Sequence, residues 1–468
     1  MTLSPKELET FDAVFNPRSV AVIGATDSPE RVGYLFMESL VIGEFKGSIY
    51  PIHPRHKELL GRKVYRSLGD LPEAVDVAII ALNQHLTLDA VRECAGRGVT
   101  GVVCPAGGYK EMGEEGLRLE RELASIARES GMVLIGPNTL GFSNADVSLN
   151  ATFYPEKLPP GCGISVVSQS GGTGRAIIEE LRDEGLGVGK WIGAGNRASV
   201  DFAECVDYLA YDRDTSVIAL FIEGTEKGRE LMEAAGRARG RKPIVVFKAG
   251  NSTLAQSSAV THTGSMISSP ELFSDVCEQF GLIEVKSLSE LVSVAKALAI
   301  CPSPTGDGIG VVTHTAGPSI IMLDIFSASG CRMAKFSDKT MANLEEQFHG
   351  IEVILKNPLD AAAFGYTADG YGKVAEMVLG DQDVSVLIAI HALHKRLQYA
   401  VPQLIDLRGR IGKPVISCYI STQAARDDFR EKLQKAGIPY YTSIERAAWG
   451  AAGCIRYKRI VDGKSTGA

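Results

Sequence analysis

Ile164-Ser165-Val166-Val167-Ser168-Gln169-Ser170-Gly171-Gly172 reads as a buried strand that runs into a turn of hydroxyl and glycine residues and then into a helix. The pattern returns at Ile309-Gly310-Val311-Val312-Thr313-His314-Thr315-Ala316-Gly317. The match continues downstream. Residues 217–223 correspond to 385–391, Lys242-Pro243-Ile244-Val245-Val246 to Lys413-Pro414-Val415-Ile416-Ser417, and 281–291 to 437–447. One α/β unit is therefore expected twice. From Lys242 to Gly281 is 39 residues, but from Lys413 to Gly437 only 24. The 15 extra residues of the first copy fall around 251–270 and hold Thr261-His262-Thr263-Gly264-Ser265. An insertion carried by one copy alone is expected to bear function.

Apolar β-rich runs also alternate with helical patterns before the repeat, which predicts parallel α/β architecture throughout. Strands are predicted at 19–23, 48–52, 75–81 and 101–104, and a helix at 116–130. Proline- and glycine-rich stretches at 155–161 and 301–307 read as linkers. They place domains at 1–155, 160–302 and 306–460, with a disordered tail over 461–468.

The net charge of −7 argues against a general binder of nucleic acid or anionic membrane. The polar first 16 residues do not read as a signal peptide. No apolar run approaches the roughly 18–20 residues of a membrane span. Nine cysteines without a C-x-x-C pair suggest reduced thiols and a cytoplasmic location. The basic run Arg237, Arg239, Arg241, Lys242 reads as a solvated helix end.

Val20-Ala21-Val22-Ile23-Gly24-Ala25-Thr26 is a strand ending in a tight turn, with a helix predicted from Arg31-Val32-Gly33. Such a first turn of a doubly wound sheet presents amides and a helix N-terminus to an anion. The spacing is not G-x-G-x-x-G, and no acid follows the second strand, so NAD is disfavoured. Arg55-His56-Lys57 follows instead and suits an extra phosphate. The alternative is a glycine kept for turn geometry alone.

The segment from Ser168 to Gly174 lets backbone amides converge on an oxyanion at a helix start. It is neither a Walker loop nor a G-x-S-x-G elbow; the alternative is a capped helix with no ligand. Glu223 ends a predicted strand, where an acid could fix the tautomer of an imidazole. His262 stands among small hydroxyl residues, without ligand-spaced partners for a metal. Base, structural histidine and covalent carrier remain the readings. His391 and His394, at i and i+3, read as ordinary polar residues that a helix would pair.

Taken in order from Phe15 to Ala447, these segments and Asn357-Pro358-Leu359-Asp360 resemble the α subunit of NDP-forming acyl-CoA synthetases, the ADP-forming acetate–CoA ligase type related to succinyl-CoA synthetase. The resemblance implies a Rossmann-like CoA-binding domain followed by two flavodoxin-like ligase domains. It implies reversible conversion of acyl-CoA, phosphate and ADP to acid, CoA and ATP through an acyl phosphate and a phosphohistidine. By this resemblance His262 carries the phosphoryl group and Glu223 orients it. Ser168, Gln169, Ser170, Gly171 and Gly172 form the phosphate cradle. Gly24, Ala25, Thr26, Arg31, Gly33, Arg55, Asn83, Pro105, Ala106 and Gly107 fall at the CoA site, and Asn138 at the acyl end. No metal site is expected on the chain. ADP or ATP with magnesium would bind a separate ATP-grasp β subunit in an α2β2 assembly. The chain departs from the family at Met266-Ile267-Ser268-Ser269-Pro270 and at His314-Thr315-Ala316-Gly317-Pro318, where N-A-G-G-P is common. Two other readings compete with it: a CoA-binding regulatory or scaffold protein without phosphoryl transfer, and a nicotinamide-linked dehydrogenase.

Overall fold

The structure, a computed structural model, describes residues 3–250, 252, 270–392, 398–420 and 426–464. The chain divides into two compact units, Met1–Glu284 and Val285–Ala468.

The first unit opens with the helix Pro5–Phe15, started by a Ser4–Glu7 capping box. A doubly wound sheet follows. Its strands are β1 (Ser19–Ile23), β2 (Ser48–Ile52), β5 (Val77–Ile80), β6 (Gly101–Val103) and β7 (Val133–Ile135). A small hairpin, β3 (Glu58–Leu59) and β4 (Arg62–Lys63), interrupts them. The order is β2-β1-β5-β6-β7, all parallel. Both faces are covered, so the strands are near-continuous runs of Val, Ile and Ala rather than alternating ones.

A second sheet contains β8 (Gly141–Asn144), β9 (Leu149–Thr152), β10 (Ile164–Ser168), β11 (Lys190–Gly193), β12 (Val217–Ile222), β13 (Ile244–Lys248) and β14 (Ile283–Val285). Its order is β14-β13-β12-β10-β11-β8-β9. The hairpin β8–β9, expected within a first domain ending at 155, is added antiparallel to the edge strand β11. The opening helix crosses the expected boundary too: Phe15 stacks on Tyr208 with ring centroids 5.0 Å apart. One hydrophobic core thus serves both sheets.

The second unit begins with the helix Leu288–Ile300, ahead of the linker at 301–307. Its strands are β15 (Gly308–Thr313), β16 (Arg332–Met333), β17 (Leu359–Asp360), β18 (Val386–Ala392), β19 (Val415–Ile420) and β20 (Tyr440–Tyr441). The path β16-β15-β18-β19-β20 repeats β11-β10-β12-β13-β14 strand for strand. Equivalent lysines do equivalent work. Lys242 Nζ donates to the carbonyl of Leu209 at 2.8 Å and to that of Asp212, and Lys413 Nζ donates to Leu379 and Asp381 at 2.9 and 2.7 Å. The matched helices Leu288–Ile300 and Ile444–Val461 are both capped by serine, Ser287 and Ser443, and pack on each other. The basic run at 237–242 is therefore not a free solvated end. Arg237 pairs with buried Asp207 at 2.7 Å, and Lys242 satisfies helix-end carbonyls.

His391 belongs to β18 and not to a helix. It is 2% exposed and sandwiched between Tyr371 and Tyr419, with centroids at 4.1 and 4.6 Å. His394 and the tail residues 465–468 lie outside the described residues. No described helix is long and apolar enough to cross a membrane.

Candidate functional site

A cleft of about 990 Å³ opens at the carboxyl edge of the first sheet. Parallel strands direct their C-terminal loops there, which is where doubly wound sheets hold ligands. Gly24 makes the turn after β1 at φ +87°, and an added Cβ would stand 2.6 Å from the carbonyl of Ala81. A Cβ on Gly33 would stand 2.1 Å from the carbonyl of Gly24. These two glycines bring the helix Val32–Ile42 onto the turn. Its N-cap, Arg31, makes no side-chain cap bond, so the first amides are left for an incoming group.

Of the residues expected here, Gly24, Thr26, Arg31, Gly33, Arg55, Pro105 and Ala106 line the cleft. Ala25 does not: it is fully buried, and its amide, like that of Gly24, donates to the carbonyl of Ile52. Asn83 caps the helix Gln84–Gly96, accepting from the amide of Leu86 at 3.2 Å. Gly107 packs towards the side chains of Glu111 and Asn138. The sequence reading missed His53, Arg66 and Phe153, which also form the walls, together with His56 from the quoted basic run. Arg66 sits after the β3–β4 hairpin, and only its basic character signalled it. The His53 and His56 rings lie 4.2 Å apart, and His56 Nε2 is 3.7 Å from Asp27. Burial, then the neighbouring His56 and Arg55, hold the His53 ring below its ordinary pKa. Three arginines beside apolar Ile23, Leu82, Ala106 and Phe153 make a cleft suited to a long ligand with anionic groups and an apolar arm.

The second turn lies at the carboxyl edge of β10. Ser168 Oγ donates to the carbonyl of Ser170 at 2.6 Å, and Ser170 caps the helix Gly171–Asp183 by accepting from the amide of Thr173 at 3.3 Å. The side-chain oxygen of Gln169 accepts from the amides of Glu223 and Gly224 at 2.9 and 3.1 Å. Gln169 thus ties the cradle to the end of β12, where Glu223 stands half-buried. Gly171 abuts Leu140, and a Cβ there would come within 2.3 Å of it. Gly172 faces open space. The repeat keeps part of this geometry at β15: Thr313 Oγ1 donates to the carbonyl of Thr315 at 2.8 Å and Gly317 also faces open space, but Thr315 makes no side-chain cap. His262 lies outside the described residues.

Between cleft and cradle, three loops interlock at the ends of β6, β7 and β11. Asn138, at φ +56°, is exposed and donates its amide N–H to the carbonyl of Ala106 at 2.8 Å. Its Nδ2 donates to Asn196 Oδ1 at 3.3 Å. Asn196 Nδ2 donates to Glu111 at 2.7 Å and to Glu120 at 2.9 Å. Lys110 Nζ donates to the carbonyl of Asn196 at 2.8 Å and lies 3.6 Å from Glu120. Burial raises the Glu120 carboxyl above its usual range. Burial acts on Glu111 too, but bonds from Asn196, Gly108 and Tyr109 outweigh it and leave that carboxyl lowered.

Comparison with known proteins agrees with this layout. A family profile described as a CoA binding domain matches residues 18–145, and one described as a succinyl-CoA ligase like flavodoxin domain matches 161–298. The chain is 33% identical over 466 residues to acetate–CoA ligase (ADP-forming) II subunit alpha of Pyrococcus furiosus, covering 98% of this chain and 100% of the other. It is 33% identical over 451 residues to acetate–CoA ligase (ADP-forming) I of Archaeoglobus fulgidus, where 96% of this chain spans 64% of that protein. Among solved structures, the dinucleotide forming acetyl-coenzyme A synthetase 1 of Ca. Korarchaeum cryptofilum, in complex with phosphate and ADP, superposes with a TM-score of 0.88 at 29% identity, over 97% of each chain. These relatives favour neither the dehydrogenase nor the purely regulatory reading. With a full-length relative at this identity and both domain profiles matched in order, the chain belongs to the α-subunit family of ADP-forming acyl-CoA synthetases, the acetate–CoA ligase type.

Proposed function

We propose that the chain performs the acyl and phosphoryl half of the ligase reaction, with His262 as the phosphoryl carrier. CoA lies in the cleft of the first sheet, its anionic groups against Arg31, Arg55 and Arg66 and the amides at the start of the helix Val32–Ile42. Its thioester reaches the loops around Asn138. A phosphate oxygen attacks the thioester carbonyl carbon, the CoA thiolate leaves, and an acyl phosphate forms. An imidazole nitrogen of His262 then attacks phosphorus, and the carboxylate of the acid leaves. The Ser168–Gly172 turn stabilises the transferring phosphoryl group with helix-start amides, and Glu223 orients the imidazole. ADP finally takes the phosphoryl group, and the histidine leaves as the neutral ring.

The observation that carries this reading is the Gln169 bridge, which sets the phosphate cradle and Glu223 in one fixed arrangement beside the loops that end the CoA cleft. ADP and magnesium belong, on this reading, to a separate ATP-grasp β subunit. The support is that relatives are named as α subunits and that this chain spans only 64% of the Archaeoglobus protein. An α2β2 assembly and a cytoplasmic location complete the proposal.

The test is incubation of the chain with a panel of acyl-CoAs and labelled inorganic phosphate, alone and with the co-purified β subunit. Label that survives alkali, is lost in acid and is absent from His262→Ala supports the carrier. CoA binding without label in either preparation overturns it in favour of a binding module.

A further inference from the structure

Nothing in the phosphoryl chemistry calls for a buried carboxylate, Glu120, and a half-buried carboxylate and lysine, Glu111 and Lys110, behind the Asn138 loop. Glu120 is 5% exposed and Asn196 is 8% exposed, and both belong to one hydrogen-bonded group with Glu111 and Lys110. Burying such charges is costly unless they are paired or well hydrogen-bonded: Glu120 has Lys110 at 3.6 Å, and Glu111 accepts from Asn196, Gly108 and Tyr109. The group also has a direction. Both carboxylates accept from the same nitrogen of Asn196, so its amide cannot turn over. Asn196 Oδ1 must therefore face Asn138, and the Asn138 side chain must present Nδ2 to it. The other end of the Asn138 amide is left facing Gly107, where a Cβ would come within 3.5 Å of Oδ1. The backbone is held by the same parts. The amide of Asn196 donates to the carbonyl of Pro137 at 2.9 Å, and Glu111 gathers the amides of Gly108 and Tyr109 at 2.7 and 3.1 Å.

We infer that Glu111, Glu120, Asn196 and Lys110 are positioning residues that lock the orientation of the Asn138 side chain and of the turn at Ala106–Gly108, and so set how the acyl group is held for attack. The inference rests on the proposed reading of Asn138 as the acyl end. The four residues act through Asn138 and the turn that begins at Ala106, whereas the arginines of the CoA cleft, Arg31, Arg55 and Arg66, lie on other loops.

The experiment is a double-mutant cycle with Asn196→Ala and Asn138→Ala in the chain assembled with its β subunit. It reads the single-turnover rate of phosphohistidine formation from acetyl-CoA and phosphate, the affinity for CoA by calorimetry, and histidine phosphorylation from ATP. Each single variant is expected to slow the acetyl-CoA reaction at least tenfold. The double variant should be no slower than Asn138→Ala alone, which is the signature of one residue acting through the other. CoA affinity and phosphorylation from ATP should stay within twofold of wild type. Glu111→Gln, which sets two amide NH2 groups face to face, should reproduce the defect in a protein that is still folded and still binds CoA. Multiplying effects in the double variant, or an equal loss of CoA affinity, overturns the inference. A wild-type protein that labels from none of a panel of acyl-CoAs while binding CoA overturns the reading of the reaction itself.

Discussion

The side-chain oxygen of Gln169 accepts the backbone N–H of Glu223 at 2.9 Å, across 54 residues of sequence. It accepts from Gly224 as well, so one glutamine satisfies two amides at the end of β12. Gln169→Ala leaves both donors without this partner. Loss of a buried hydrogen bond costs about 1–3 kcal/mol. A comparable fall in urea stability is expected, together with at least a tenfold drop in labelling from acetyl-CoA and phosphate. Stability lost with labelling intact would separate the bridge from the phosphate site.

Gly33 meets the carbonyl of Gly24 where a methyl group would fall at 2.1 Å. Gly33→Ala must push the helix Val32–Ile42 away from the turn. The expected result is at least a tenfold weaker affinity for CoA by calorimetry, with labelling of the variant restored at saturating acetyl-CoA.

Arg66 brings a guanidinium to the cleft wall beside Arg55 and His53. Arg66→Ala is expected to raise the Kd for CoA about tenfold, about 1.4 kcal/mol, with a shallower dependence on salt. The ratio of variant to wild type should shrink for dephospho-CoA if this arginine faces the extra phosphate. An equal loss for both ligands would place it on the diphosphate.

His391 titrates against burial. Its folded pKa is lowered to about 3, first by burial and then by His314, and among the described residues neither ring nitrogen has a hydrogen-bond partner. An unfolded histidine has a pKa of about 6.5. Between these values the unfolded chain binds one more proton than the folded one. Stability is therefore unaffected by this group above about pH 6.5 and falls by roughly 1.4 kcal/mol per unit as pH drops below it, levelling off near pH 3. Urea titrations at pH 7.5, 6.5 and 5.5 should show the loss, and His391→Phe should flatten it.

The repeat was legible from the sequence because it is carried by local signals. β10 and β15 are short runs of Val and Ile, each ended by a hydroxyl residue, and their lengths and spacing survive in both sheets. Gly24 and Gly33 were legible for a similar reason, since a tight turn and a close helix each demand glycine. Ala25 and Asn83 show where such reading stops. Both stand in the right loops, yet one amide turns back to Ile52 and one side chain caps its own helix. The direction of a side chain depends on what packs beside it.

By itself the sequence determined the parallel α/β class, the duplicated unit and the two glycine-bearing turns from strand to helix, because strand length, apolar runs and turn chemistry act over a few residues. Tertiary structure alone decided the rest. It gave the hairpin β8–β9 to the second sheet, put His391 in a sealed aromatic stack, and joined Glu111 and Glu120 to Asn196 across 85 and 76 residues. Each of these is a contact between segments far apart in the chain: edge-strand backbone groups and the two carboxylates find partners there, while the His391 ring is held by packing between two tyrosines.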